Sequence, residues 1–127
     1  MASVAVQHFP ARDLVIFRVR GAFSVEDIVR AAEPHFNAHN TSRTIWDLRL
    51  ADFSDIAVAE MRVISRRSSE VAQTRTAPKS ALVAGDEVKR MILKLYEAVT
   101  ESDRNPVNYG IFDTIAEAEA WLDGETA

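Results

Sequence analysis

The sequence predicts an α/β fold: a mixed, mostly parallel five-stranded sheet with an N-terminal antiparallel hairpin and four helices. The first observation behind this is the short apolar, β-branched segment 43–49, which lies between two segments of helical period. The second is that strand and helix continue to alternate to the end of the chain, which is typical of parallel crossover connections. The third is the short turn 10–13, which joins only the first two strands and predicts that they pair antiparallel. The predicted order is β-β-α-β-α-β-α-β-α in a single domain, residues 1–127.

The predicted strands are 4–9, 14–20, 43–49, 80–84 and 107–112. Ser24 is expected to cap the first helix, and Pro34 is expected to kink it or end it early. His35 and His39 would then lie in a frayed polar segment at the end of the helix. Asp86 is expected to cap the third helix, and Thr114 begins a capping box for the last one. At helical spacing, the residues of the third helix that should point inward are Val88, Met91, Ile92, Leu95 and Val99.

The composition is that of an ordinary globular chain, with 47% hydrophobic and 27% charged residues. A formal net charge of −4 argues against nucleic acid as the main partner. The absence of cysteine excludes disulfides, thiolate chemistry and cysteine-ligated metals. The sequence shows neither a leader segment nor a membrane span, so we expect a cytoplasmic protein.

The best candidate site is the loop 49–56, which leaves the carboxyl end of the central strand. Open α/β sheets bind ligands at that end, where a helix N-terminus can also meet an anion. Ser54 or Asp55 would also serve as the N-cap of the next helix, and the two roles are compatible. The neighbouring strand ends in a glycine followed by a capping aspartate, which lies in the equivalent loop. The candidate ligand or partner contacts are Asp47, Arg49, Asp52, Ser54, Asp55, Gly85 and Asp86.

Two further sequence patterns, a histidine pair and a run of arginines, are interpreted as structural rather than functional. His35 and His39 have the spacing of a helical zinc pair, but Phe36 replaces the general-base glutamate of the zincin motif and a third ligand must come from elsewhere. We therefore predict no metal site and no cofactor. A basic run after the central strand is interpreted as a solvated helix face rather than as a phosphate- or partner-binding face. That run consists of Arg62, Arg66, Arg67 and Arg75.

Four segments resemble the STAS domains of anti-sigma-factor antagonists, in particular the SpoIIAA-like branch of STAS/Sec14 type. They are the predicted strand 14–20 with the glycine that follows it, the strand end 46–48, the predicted strand 80–84 with Gly85-Asp86 after it, and the C-terminal segment 111–122. The last is the most specific, because it joins Phe112-Asp113 to an alanine-rich helix ending in Trp121-Leu122. The resemblance covers nearly the whole chain and implies a mixed sheet with a regulatory or ligand-binding role.

The resemblance implies a non-enzymatic domain that binds a protein partner or a small amphipathic or anionic, lipid-like ligand near loop 49–56. The first alternative is an antagonist-type switch controlled by phosphorylation. Counted without gaps, the family's phosphoserine falls near Ile56, and with a shifted loop it falls on Ser54. The second alternative is a small enzyme that uses Asp47, Asp52 or a histidine; a loop packed solid by Phe53 and Ile56 would argue against it. An uncovered edge strand also allows a homodimer.

Overall fold

The structure is a computed structural model that describes residues 2–124. It confirms the predicted fold class, the element order and the opening hairpin. A short 3-10 turn, Pro10–Arg12, joins the first two strands. The strands are β1 (Ser3–Phe9), β2 (Leu14–Ala22), β3 (Arg43–Asp52), β4 (Lys79–Val83) and β5 (Asn108–Phe112). The helices are α1 (Val25–Ala38), α2 (Val58–Ala72), α3 (Glu87–Ser102) and α4 (Ile115–Leu122).

The five strands follow one another in the sheet in the order β1-β2-β3-β4-β5. β1 is antiparallel to β2, and every later pair is parallel. Because each parallel connection is right-handed and advances in the same direction, α1, α2 and α3 must lie on the same face of the sheet. The contacts agree, since α2 packs between α1 and α3 while α4 packs against β3, β4 and β5.

Side chains alternate along each strand, so the sheet has two separate cores. Toward α1–α3 the core contains Leu48 and Leu82 of the sheet with Leu93 of α3. Toward α4 it contains Ile45 and Val83 of the sheet together with Leu122. The alternation in β3 places Trp46 and Leu48 under the three helices, whereas Asp47 lies on the α4 side.

Helix α1 corrects the expectation that Pro34 ends it. The helix continues through Pro34 to Ala38, and Ser24 caps its start as predicted, with a reciprocal capping box to Asp27. The predicted polar segment after the helix is wrong for His35, which is buried beside Phe36, whereas His39 is exposed as predicted. Burial of His35 and Phe36 offsets the hydrogen bond that proline cannot donate, a cost of about 3 kcal/mol or more in an isolated helix.

The packing face of helix α3 agrees only in part with the prediction: Val99 is buried and Ile92 packs against the core, as predicted. Val88, Met91 and Leu95 are exposed, by 69%, 67% and 47% respectively. The buried residues of α3 are Leu93, Tyr96, Val99 and Thr100, and Asp86 caps the helix as predicted. Apolar residues occupy more than one stripe of this helix, so its rotation is set by packing against α2 and β5 rather than by the period alone.

The segment after the central strand also differs from the prediction. β3 extends to Asp52, so the first half of the predicted loop 49–56 is strand. Neither Ser54 nor Asp55 caps α2; the N-cap is Ala57, whose backbone N–H donates to Glu60 Oε1 at 2.9 Å. Within residues 2–124, no helix combines the length and apolarity that a membrane crossing requires.

Candidate functional site

The buried carboxylate of Asp47 forms an ion pair with two hydrogen bonds to the half-exposed Arg49 at the carboxyl end of β3. Arg49 donates from Nε to Oδ1 at 2.8 Å and from Nη2 to Oδ2 at 2.9 Å. Arg18 of β2 lies 3.9 Å from the same carboxylate. The side-chain hydrogen bonds from Arg49 lower the pKa of Asp47, against the opposing effect of burial. Asp47 is therefore a carboxylate already satisfied by two cations.

Gly85 and Asp86 adjoin this pair from the end of β4. A Cβ on Gly85 would come within 2.8 Å of Arg49 Cγ, so the missing side chain makes room for the arginine stem. Gly85 also has φ +83°, a left-handed conformation that favours glycine. Lys89 Nζ donates to the Arg49 carbonyl at 2.9 Å and to Asp86 Oδ2 at 3.0 Å. Four of the predicted site residues therefore lie close together, and the charged side chains in this group form ion pairs with one another.

The other three predicted residues form an exposed turn. Asp52 Oδ1 accepts from the backbone N–H of Ser54 at 2.9 Å, and this bond lowers the pKa of Asp52. Ser54 and Asp55 are exposed. Phe53 and Ile56, in contrast, pack against the core, and the Phe53 ring meets Phe23 edge to face at 5.1 Å. Phe53 and Ile56 are only partly buried, so the loop is not packed solid.

The Asp47–Arg49 pair leads to a pH-dependent prediction. We expect Arg49→Met to lower the free energy of unfolding by about 1 kcal/mol at pH 7, because the arginine is half exposed and Arg18 remains beside the carboxylate. The folded-state pKa of Asp47 is depressed, so its contribution is present above the unfolded pKa and is lost as the pH falls through the folded value. The difference between variant and wild type should therefore narrow below about pH 4.

The measurement is urea unfolding of both proteins across a pH series. The matched control is Arg20→Met, which removes an exposed arginine from the same end of the neighbouring strand. A difference for Arg49→Met that stays constant from neutral to strongly acidic pH would show that the carboxylate is not stabilised by this pair.

A cavity of about 110 Å³ lies between the sheet and helices α1–α3. Most of its walls are apolar, and they come from the sheet, from all three helices and from the turn after β3. Apolar wall residues include Phe23, Ile28, Ala32, Trp46, Phe53 and Ile56. None of the seven predicted site residues lines it, whereas Phe53 and Ile56 of the predicted loop do.

Hydroxyl groups line part of the cavity wall. Tyr109 of β5 bonds through its hydroxyl to Ser68 Oγ at 2.7 Å and to the hydroxyl of Tyr96 at 3.2 Å. Burial raises the pKa of both tyrosines, so both stay protonated at physiological pH. Thr44 and Ser80, two buried residues of β3 and β4, also line the cavity.

Arg75 is the one cationic wall residue that is almost fully buried, with 9% exposure. It donates to the carbonyl oxygens of Thr41 and Ser42 at 2.8 and 3.0 Å and to Thr44 Oγ1 at 2.9 Å. Its guanidinium carbon lies 4.5 Å from the Phe36 ring centroid. Burial lowers the pKa of Arg75 to about 10, so the group remains charged at pH 7. The interpretation of Arg75 as part of a solvated helix face is therefore wrong.

Glu33 of α1 and Arg67 of α2 are the other charged wall residues. They form an ion pair, in which Arg67 Nε donates to Glu33 Oε1 at 3.0 Å. Both side chains are partly exposed, so the pair marks the solvent side of the cavity between the two helices. The cavity thus has apolar walls, a hydroxyl group network, a buried cation and a charged rim.

All three histidines of the chain meet at the opposite, amino end of the parallel strands. His8 belongs to β1, His35 to α1, and His39 is the C-cap of α1. Burial, and then the neighbouring His8 and His39, lower the pKa of His35 to about 4, so that ring is neutral at physiological pH. The sequence shows the helical spacing of His35 and His39. It does not indicate that His8 lies beside them, because that contact depends on how β1 packs against α1.

No family model matches this sequence, and no curated protein matches it either. A crystal structure of an uncharacterized protein of the DUF3478 family from Shewanella loihica PV-4, described as having a SpoIIAA-like fold, is similar in structure. The match covers 95% of this chain and 93% of that chain, with a TM-score of 0.60 and 13% sequence identity. At that identity the likeness concerns the fold alone. This chain has a SpoIIAA-like fold, which confirms the architecture that the resemblance to STAS domains implied.

Proposed function

We propose that this domain binds a small amphipathic acid in the cavity between the sheet and α1–α3. The apolar part of the ligand lies against the helices, and its carboxylate meets Arg75 and the hydroxyl groups of Tyr96 and Tyr109. The proposed ligand is of the small amphipathic or anionic kind that the sequence predicts. Its proposed contact is the cavity rather than the loop 49–56 above it.

The observation that carries the proposal is a buried guanidinium, which lies on the wall of an apolar cavity and forms no ion pair within residues 2–124. Every recorded hydrogen bond of Arg75 goes to a neutral oxygen. Within residues 2–124, each recorded ion pair joins other residues. Buried charges are normally paired, because desolvation of an ion costs several kcal/mol. An anionic ligand would supply the missing charge.

The size of the cavity supports a small ligand. An apolar cavity of roughly 150 Å³ is known to take up benzene, so about 110 Å³ suits one small ring or a short chain.

The first experiment compares the mass of the purified protein under native and denaturing conditions. A native mass that exceeds the denatured one by a small organic molecule supports the proposal and identifies the ligand. The chain is then titrated calorimetrically with benzoate and with its neutral analogue benzyl alcohol. We expect one benzoate per chain, bound about tenfold or more tightly than the alcohol, because the carboxylate makes charge-assisted hydrogen bonds.

Equal affinity for the acid and the alcohol would refute the role of Arg75. The absence of both a retained mass and benzoate binding would refute a cavity ligand of this kind. A protein contact would then be the remaining function, with the exposed apolar row on α3 as its surface. A mass excess of one phosphate that survives denaturation would instead favour the switch at Ser54.

A further inference from the structure

We propose that His8, His35 and His39 form a binding site for one divalent transition-metal ion such as Zn²⁺. One ring nitrogen from each of the three residues lies within 4.8 Å of the other two. The ring centroids are 4.6 Å apart for His8–His35, 4.5 Å for His8–His39 and 5.0 Å for His35–His39. The third ligand that the zinc-pair spacing lacked is thus supplied by a strand 27 residues earlier in the sequence than His35.

The geometry is close to that of a three-histidine metal centre. With metal–nitrogen bonds of about 2.0–2.1 Å in a tetrahedral arrangement, the nitrogens would be roughly 3.4 Å apart. Each must therefore approach its neighbours by little more than an ångström. Side-chain rotation can supply this, particularly at His39, which is exposed at the end of α1.

The charges around the rings act in both directions: Arg75 opposes a cation beside His35, whereas the end of α1 favours one. The cluster lies at the carboxyl end of α1, where the helix dipole is negative. Thr41 Oγ1 lies 2.9 Å from His35 Nε2 and 3.5 Å from His8 Nε2, and such a contact orients a ligating ring when the metal takes the other nitrogen, here Nδ1.

Solvent reaches the cluster from the face of the molecule between β1 and α1. An open groove there is lined by His35 and His39 together with Val4, Val6 and Pro34. Three protein ligands leave the fourth tetrahedral position free for water or a small anion. An all-imidazole donor set suits Zn²⁺, Cu²⁺ or Ni²⁺ rather than Mg²⁺ or Ca²⁺, which prefer oxygen ligands.

The test is calorimetric titration of Zn²⁺ into the metal-free chain from which any affinity tag has been removed. The variants are His8→Gln, His39→Gln and the double variant, since both residues are less buried than His35 and their loss should leave the fold intact. Asn40→Gln, an exposed polar change next to His39, is the matched control. Circular dichroism and the midpoint of thermal unfolding check that each variant is folded.

We expect one Zn²⁺ per wild-type chain and no measurable binding of Mg²⁺. Each single histidine variant should bind Zn²⁺ about 10- to 100-fold more weakly, and the double variant should lose the site. Zinc should raise the thermal midpoint of the wild type and of Asn40→Gln but not that of the double variant. A wild type that fails to bind Zn²⁺, or a folded double variant that binds it as tightly as the wild type, would overturn the proposal. The cavity proposal is unaffected either way, because no histidine lines that cavity.

Discussion

Arg75→Met is expected to lower the free energy of unfolding by roughly 2 to 4 kcal/mol, the largest loss of stability proposed for this chain. The substitution leaves the carbonyl oxygens of Thr41 and Ser42 and the hydroxyl of Thr44 without their donor. Each buried polar group that loses its partner costs about 1 to 3 kcal/mol, and relief from burying a charge offsets part of that sum. The variant should also lose its preference for benzoate over benzyl alcohol.

Urea unfolding measures the first effect as a lower midpoint with an unchanged slope. Arg66→Met is the matched control, because Arg66 is an exposed residue of α2 and its replacement should change stability by less than about 0.5 kcal/mol. Arg75→Lys keeps the positive charge but cannot reproduce the guanidinium fork, so we expect an intermediate stability. If Arg75→Met were as stable as Arg66→Met, the buried hydrogen bonds would not hold Thr41 and Ser42 in place.

Ala32→Phe is expected to weaken benzoate binding by at least about 100-fold while leaving the protein as stable as the wild type or more so. Ala32 belongs to α1 and lines the cavity, so a larger side chain there occupies the space of the ligand. Filling a void usually stabilises a protein by about 0.5 to 2 kcal/mol, provided that the new side chain fits without strain. Calorimetric titration gives the binding loss, and urea unfolding gives the stability.

Ala98→Phe is the control for this variant. Ala98 is an exposed residue of α3 outside the cavity wall, so the same change there should leave benzoate binding unaltered. A folded Ala32→Phe that still binds benzoate like the wild type would place the ligand elsewhere on the molecule. Loss of binding in both variants would show that the effect is not specific to the cavity.

The two variants separate two sources of affinity. Arg75 would act through charge and hydrogen bonding, so its loss should affect the acid more than the alcohol. Ala32→Phe excludes any occupant by volume, so it should affect both probes equally. This contrast also distinguishes a destabilised protein, which loses affinity for every ligand in proportion to its unfolded fraction, from one with an altered site.

Much of the fold was predictable because its determinants are local. Ser24, Asp86 and Thr114 each cap a helix as predicted, and each cap depends on a side chain and a backbone N–H only three residues away. The alternation of strand and helix periods gave the element order. Once consecutive strands are neighbours, the right-handed crossover rule places three helices on one face of the sheet.

The errors arose where packing outweighs local preference. Pro34 disfavours a helix interior, yet α1 continues because burial of His35 and Phe36 compensates. Arg75 belongs to a run of arginines that appears uniformly solvated, but the chain turns after α2 and carries it beneath the neighbouring elements. The rotation of α3 is likewise set by its contacts with α2 and β5.

The candidate site shows the same division. The sequence placed Asp47, Arg49, Gly85 and Asp86 at the carboxyl ends of adjacent strands, and the structure brings them together there, as neighbouring parallel strands require. Nothing in the local pattern indicated the cavity, because its walls come from segments far apart in the chain.

By itself, the sequence determined the fold class, the order of the elements, the caps of α1, α3 and α4 and the charged group at the carboxyl end of the sheet, since periodicity and short-range hydrogen bonds encode these. The tertiary structure alone decided that Arg75 is buried beside an apolar cavity and that His8 joins His35 and His39. Both arrangements join residues from separate elements, and only the packing of one element against another sets the distances between them.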